Sequence, residues 1–156
     1  RGLGYDALLL STFVEGEARE VARVVAALGR SVLAHGDPVP PPACLVLGGE
    51  TTVTVKGRGT GGRNQELALA AALALEGIEG ISVMALATDG SDGPTDSSGA
   101  IVDGETARAI RAAGIDPVLA LAANDAYPTL EAAGAQLKTG PTGTNVNDLT
   151  VVLVTG

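Results

Sequence analysis

Ala43-Cys-Leu-Val-Leu-Gly-Gly-Glu-Thr-Thr-Val-Thr-Val-Lys56 is the stretch on which the fold class turns. Its first five residues form a short apolar run bounded by glycines, which reads as a strand. From Thr51 to Lys56 threonine alternates with valine, the two-residue period of a half-exposed strand. Only Gly48 to Glu50 separate the two, so they are expected to pair as an antiparallel hairpin. Upstream, the run Tyr5–Leu10 reads as a buried strand feeding a helix from Glu15 to about Ala34. Ala18, Val21, Ala22, Val25, Leu28 and Val32 line one face of that helix and Glu15, Glu17, Glu20 and Arg23 the other. Four prolines between Asp37 and Pro42 end it in an extended linker. Downstream, Arg63–Leu75 is a helix apolar nearly all round and therefore buried. It is followed by a strand Ile81–Ala87, helices Glu105–Ala113 and Ala126–Ala133, and a last strand Leu149–Val154. Strands alternating with helices predict an α/β fold, a layered α/β/α domain on a mixed sheet that includes the hairpin near residues 43–56.

The length of 156 residues fits a single domain over 1–156, able to bury a core without staples. Hydrophobic residues make up 46% and charged residues 18%, which excludes a disordered chain. Aromatics are 2% and tryptophan is absent, so the core must be aliphatic, while 22 glycines give the loops unusual backbone geometry. A net charge of −8 argues against nucleic-acid binding, which needs an excess of Lys and Arg. No apolar run is long enough to cross a membrane, and no signal-peptide layout is visible, so a cytoplasmic address is expected. Cys44, in an apolar run, reads as a buried inert thiol, and His35 as a surface residue at a helix end. Together they make no metal set. Opening at Arg1 without an initiator Met, the chain reads as a piece of something longer.

Three loops carry the candidate chemistry. Gly57-Arg-Gly-Thr-Gly-Gly-Arg-Asn-Gln-Glu66 precedes a helix, and Lys56, Arg58 and Arg63 concentrate positive charge there. Glycine amides such as those of Gly61 and Gly62, the free N–H groups of a helix start and forked arginines together suit an anion. A turn that merely caps the helix is the plainer alternative. Gly57, Gly59 and Gly62 also satisfy G-x-G-x-x-G, but the alternating strand before them and the absence of an acid about 20 residues on speak against a dinucleotide fold. In the second loop, Thr88-Asp-Gly-Ser-Asp-Gly-Pro-Thr-Asp96, three carboxylates could hold Mg²⁺ through water, orient a hydroxyl or act as a base, or simply build an Asx turn. The third, Thr139-Gly-Pro-Thr-Gly-Thr-Asn-Val-Asn-Asp148, is rich in hydroxyls and amides suited to a small polyhydroxylated acid or a nucleotide edge. Glu50 reads equally as turn residue or ligand, and Asn124 or Asp125 as the N-cap of the following helix.

Four stretches, Gly48-Gly-Glu-Thr-Thr-Val-Thr-Val, Gly61-Gly-Arg-Asn-Gln-Glu-Leu, Thr88–Asp96 and Thr139-Gly-Pro-Thr-Gly-Thr-Asn-Val-Asn-Asp-Leu, resemble in this order the MOFRL domain. That domain is the C-terminal half of the glycerate 2-kinases, a family in which the name hydroxypyruvate reductase is also in use. The resemblance implies ATP- and Mg²⁺-dependent phosphorylation of D-glycerate to 2-phosphoglycerate, in a cleft against an N-terminal Rossmann-like domain that this chain lacks. It implies that Arg63 is the catalytic arginine and that Asp89 and Asp92 are metal or hydroxyl-orienting groups. Glu50, Arg58, Gly61, Gly62, Asn64, Thr144, Asn145 and Asn147 become substrate or nucleotide contacts. The piece alone is then expected to be inactive. Two further readings stay open: an NAD(P)H-dependent hydroxypyruvate reductase, and a noncatalytic binding or oligomerisation module. Oligomeric state, a homo-oligomer included, is left open by the sequence.

Overall fold

The computed structural model describes residues 2–156. Six strands form one open sheet: β1 (Asp6–Val14), β2 (Ala43–Gly49), β3 (Ile81–Ala87), β4 (Gly99–Asp103), β5 (Gln136–Leu137) and β6 (Asp148–Val154). The helices are α1 (Ala18–His35), α2 (Arg63–Ala74), α3 (Thr106–Ala112), α4 (Pro117–Ala122) and α5 (Ala126–Ala132). The sheet order is β1-β2-β6-β3-β4-β5, with β1 and β2 parallel and every other neighbouring pair antiparallel. The predicted α/β fold on a mixed sheet is therefore present, and the main elements lie within a few residues of their expected bounds. β4, β5 and α4 had no counterpart in the sequence reading; β5 is only two residues long.

The hairpin is not formed. β2 is flanked by β1 on one side and β6 on the other, so neither edge is free for the segment after it. Thr51–Lys56 instead runs past the start of α1, with a single bridge between Thr52 and Glu17. The Thr52 amide donates to the Gly16 carbonyl (2.8 Å), the Ala18 amide donates back to Thr52 (2.9 Å), and the Glu17 carboxylate accepts from Thr54. The sheet is mixed because β6 inserts antiparallel between β2 and β3, two strands that run the same way.

The layering also differs from α/β/α, because all five helices gather on one face. Ala43, Leu45, Ile81, Val83, Ala85, Val152 and Val154 point to that face and belong to the core, together with Ala22, Val25 and Val32 of α1 and Leu67, Leu69 and Leu75 of α2. The other face carries Cys44, Val46, Met84, Val151 and Leu153, all only half-buried, so Cys44 is not the core thiol expected. α2 lies between the sheet, α1 and the shorter helices, which explains an apolar surface running right round it. His35 closes the last turn of α1, as expected.

α1 approaches the sheet closely at Gly29. A Cβ there would lie 2.9 Å from Ile81 Cγ2 and 3.1 Å from Val152 Cγ1, both on β-branched side chains held in the core. Alanine gains about 1 kcal/mol of helix propensity over glycine, while overpacking a tight core costs about 1–3 kcal/mol. Gly29→Ala should therefore lower stability by up to about 2 kcal/mol despite the better helix former, measured as a lower urea midpoint with an unchanged slope.

Candidate functional site

Because β6 runs against both neighbours, its first residue, Asp148, pairs with Gly49 at the end of β2 and with Ala87 at the end of β3. The segments after β2 and β3, and the one before β6, must therefore share one edge of the sheet. Thr139–Asn147 is tied to the start of the β3 loop: the Thr88 hydroxyl donates to the Asn147 carbonyl (2.7 Å) and accepts from the Val146 amide (2.9 Å). The Asp89 carboxylate accepts from the Ser91 amide (3.1 Å) and from Asn145 (3.4 Å). The loop that follows β3 then reaches the N-terminus of α2 through Asp92.

Asp92 is buried, and both its oxygens are committed. Oδ1 accepts from the Asn64 amide (3.1 Å) and side chain (3.2 Å), Oδ2 from the Gln65 amide (2.9 Å) and side chain (3.1 Å). The first turn of α2 thus already binds an anion, and it is an internal one: a carboxylate from a distant loop satisfies two amides that a helix start leaves free. Burial pushes the Asp92 carboxyl above its ordinary value, a larger influence than the hydrogen bonds that pull it down. The Asp92 carboxylate is therefore fully committed to the start of α2, with Asn64 supplying two of its four donors. Asp96, the third carboxylate of the loop, accepts from the Tyr127 hydroxyl (2.7 Å) and pairs with Lys138 (3.2 Å). The described residues contain no group of three His, Cys, Asp or Glu side chains placed to hold a metal.

The glycine loop is held the same way. Asn124 Oδ1 accepts from the amides of Lys56 (2.7 Å) and Gly57 (3.0 Å), Asp125 accepts from Thr60 (2.8 Å), and the Gly59 amide donates to Ala123 (3.0 Å). A Cβ on Gly57 would sit 2.2 Å from the Ala123 carbonyl oxygen, on Gly59 2.4 Å from Asp125, and on Gly62 2.4 Å from Asp92. These three glycines are needed for packing against protein, so the G-x-G-x-x-G match has a structural cause. Asp125 stands at the N-cap of α5, as expected, but its side chain makes no cap hydrogen bond there and braces this loop together with Asn124. Among the described residues the amides of Gly61, Gly62 and Arg63 have no protein acceptor.

Arg63 opens α2 beside these amides. Its Nε and Nη2 grip Asp148, at 2.5 and 3.0 Å, and Nη2 also lies 3.3 Å from Glu50. This fork leaves Nη1 without a protein partner among the described residues. The hydrogen bond to Asp148 raises the guanidinium still further above its ordinary value, with attraction from Asp148, Glu50 and Asp92 behind it, so the group is a permanent cation. Behind it, Glu66 is buried and paired with Arg19 (2.8 Å), and its second oxygen accepts from Asn124 (2.9 Å). Arg63, Glu50, Thr51, Gly61, Gly62 and Glu66 are among the residues lining a cleft of about 460 Å³. Thr51 Oγ1 is buried in this wall with no partner.

Of the sequence-chosen residues, the cleft therefore brings together Arg63, Glu50, Gly61 and Gly62. Arg58 is exposed and lies off the cleft, and Thr144, Asn145 and Asn147 sit on the exposed loop leading into Asp148. The sequence reading missed Asp148, Thr51, Glu66, Arg19 and Asn124 as members of the site. Glu66 had a visible signal, an acid within the first turn of an otherwise apolar helix, which in a buried helix demands a partner.

The sequence matches the MOFRL family over residues 43–148. It is 53% identical to a D-glycerate 2-kinase of Thermotoga maritima over 97% of its length, and 44% identical to a glycerate 2-kinase of Pyrococcus horikoshii over 98%. A relative from Agrobacterium vitis, 44% identical over 97% of the chain, is named provisionally for hydroxypyruvate reductase. The chain spans 36% and 35% of the length of the two kinases. The crystal structure of the Thermotoga maritima glycerate kinase superposes with a TM-score of 0.97 at 52% identity, over 98% of this chain and 37% of that one. No helix among the described residues is long and apolar enough to cross a membrane.

Removing the carboxylate that caps α2 tests the internal anion directly. Asp92→Ala leaves two buried amides without acceptors, and should destabilise the fold by about 1–3 kcal/mol in urea denaturation. An unchanged midpoint would mean water replaces the carboxylate at no cost.

Proposed function

Since the chain belongs to the MOFRL family, we propose that it supplies one wall of the active site of an ATP-dependent glycerate 2-kinase that phosphorylates D-glycerate to 2-phosphoglycerate. The observation that carries this reading is Arg63. It is locked edge-on by Asp148, with Nη1 unclaimed, next to three free amides at the mouth of a cleft. Phosphoryl transfer asks the protein mainly for positioning and for fixed positive charge on the equatorial oxygens. Arg63 offers both, because the bidentate grip of Asp148 settles the plane of the guanidinium before any ligand arrives. The amides of Gly61, Gly62 and Arg63, at the positive end of α2, add donors to the same anion. That anion is the transferring phosphoryl group or the glycerate carboxylate. Glu50 shapes the rim.

Magnesium does not fit a site built on Asp89 and Asp92, because α2 consumes both oxygens of Asp92. In kinases the ion is held largely by nucleotide phosphates with one or two carboxylates, and Asp89 is the member of the pair left at the surface. The exposed loop with Thr144, Asn145 and Asn147 lies outside the cleft lining and is assigned to ligand contacts made jointly with the remaining part of the enzyme. The family kinases are about three times as long as this chain, which is why the reading needs a second wall from outside it.

Release of ADP from Mg-ATP and D-glycerate is the test, comparing this chain, the remaining part of the enzyme, and the two together or fused. Turnover by the combined sample alone supports the reading, and full turnover by the other part without this chain overturns it. In the combined enzyme Arg63→Ala should lower kcat about 10³-fold with the fold intact. Asp148→Asn, which loosens the guanidinium without removing it, should cost about 10- to 100-fold in kcat with a smaller change in KM.

A further inference from the structure

The helix-free face of the sheet is a row of apolar side chains without cover. Leu9, Val46, Val151, Met84 and Ile101 stand in register across five adjacent strands, from β1 through β2, β6 and β3 to β4. Cys44 and Leu153 pair in the adjacent row. None of the five in the first row belongs to the core, and Leu9 and Ile101 at its ends are 62% and 45% exposed. An antiparallel sheet with one wet face normally alternates apolar with polar residues. Here β2, β3 and β6 read as Cys-Leu-Val-Leu, Ser-Val-Met-Ala-Leu and Leu-Thr-Val-Val-Leu-Val, the near-continuous apolar runs of strands covered on both sides. A contiguous apolar surface of this kind marks a buried interface.

We propose that this face is the docking surface for amphipathic helices from the part of a longer polypeptide outside these 156 residues. They would form the second helical layer of an α/β/α sandwich. The relatives supply the length: about two thirds of each kinase lies outside the matched segment, ample chain for a covering layer. Charge separates this occupant from a second copy of the chain. A copy would bring a further net charge of −8 to an interface with no cationic side chain in its central row, whereas a different segment is under no such constraint. The contact lies on the opposite side of the sheet from the helices, away from the cleft, and the inference does not depend on the kinase reading.

Cys44, the only cysteine of the chain, is a built-in probe on this face. The protein to use is the Thermotoga maritima kinase with its matching third replaced by this chain, carrying Ala27→Cys on the outer side of α1 as an exposed reference. Alkylation of the two cysteines by iodoacetamide is followed peptide by peptide in the mass spectrometer, at a concentration where mass photometry shows monomers. Cys44 is expected to react at least 100-fold more slowly than the residue-27 cysteine. Comparable rates would overturn the proposal, and so would protection that appears only when the graft dimerises, which would assign the face to a second copy. If the graft fails to fold, the same ratio is read in the unsubstituted Thermotoga enzyme with cysteines at the positions matching residues 44 and 27. The readout is accessibility, so failure of turnover leaves this result standing on its own.

Discussion

The insertion of β6 between β2 and β3 is the constraint on which the rest of the molecule depends. Two strands running the same way are joined through a third running against them, so the C-terminal ends of β2 and β3 and the N-terminal end of β6 lie side by side. This insertion, with β1 on the other edge, closes β2 to any hairpin partner, brings three loops far apart in sequence to one end of the sheet, and places Asp148 between Gly49 and Ala87. Arg63 reaches that carboxylate from the first turn of α2. The cleft exists where the sheet register and the helix start intersect.

Positive charge at the site is more than matched by carboxylates, and its value lies in orientation. Lys56, Arg58 and Arg63 look in sequence like a positive patch in an acidic protein, but Arg63 is matched by Asp148 and Glu50, and Glu66 by Arg19. The first turn of α2 is partly spent on Asp92. What remains for a ligand is one guanidinium edge and three amides, few groups but held firmly. A fixed donor stabilises a developing charge without reorganising, whereas a loose cationic loop would first have to order itself. The polar groups behind the cleft serve this end: Asn124 and Asp125 hold the glycine loop, and the Arg19–Glu66 pair fills the space beneath it.

The sheet joins two kinds of surface. One face carries the entire core of the described residues, built almost wholly from alanine, valine and leucine. The other face has the same aliphatic chemistry but no layer above it. The expectation of an α/β/α sandwich came from strands alternating with helices, and that alternation is present in the chain. The layer that would complete it is not among the helices of this chain. The alternation was thus a sound guide to the presence of strands and helices, and a wrong guide to the side of the sheet on which the helices lie.

Local pattern was enough for α1, α2, β2, β3 and β6, because period and capping chemistry act within a few residues. It was also enough to recognise the family, since those motifs are contiguous, and to pick out Arg63, Glu50, Gly61 and Gly62, which the fold brings to one cleft. It failed at Thr51–Lys56, where alternation of valine and threonine satisfies a strand's period but no sheet edge was left to pair with. At Asp92 and Asn64 it showed polar chemistry but not that the fold sets the two against each other in the interior. Asp148 stood in view at the end of a quoted motif, yet nothing nearby in the chain says that an arginine 85 residues earlier will grip it. Sequence by itself determined which segments become strands and helices and which residue types gather in the loops. The pairing of edges, the direction each helix packs and the partner of each buried charge were decided by tertiary structure, because those choices depend on what occupies the space beside a residue.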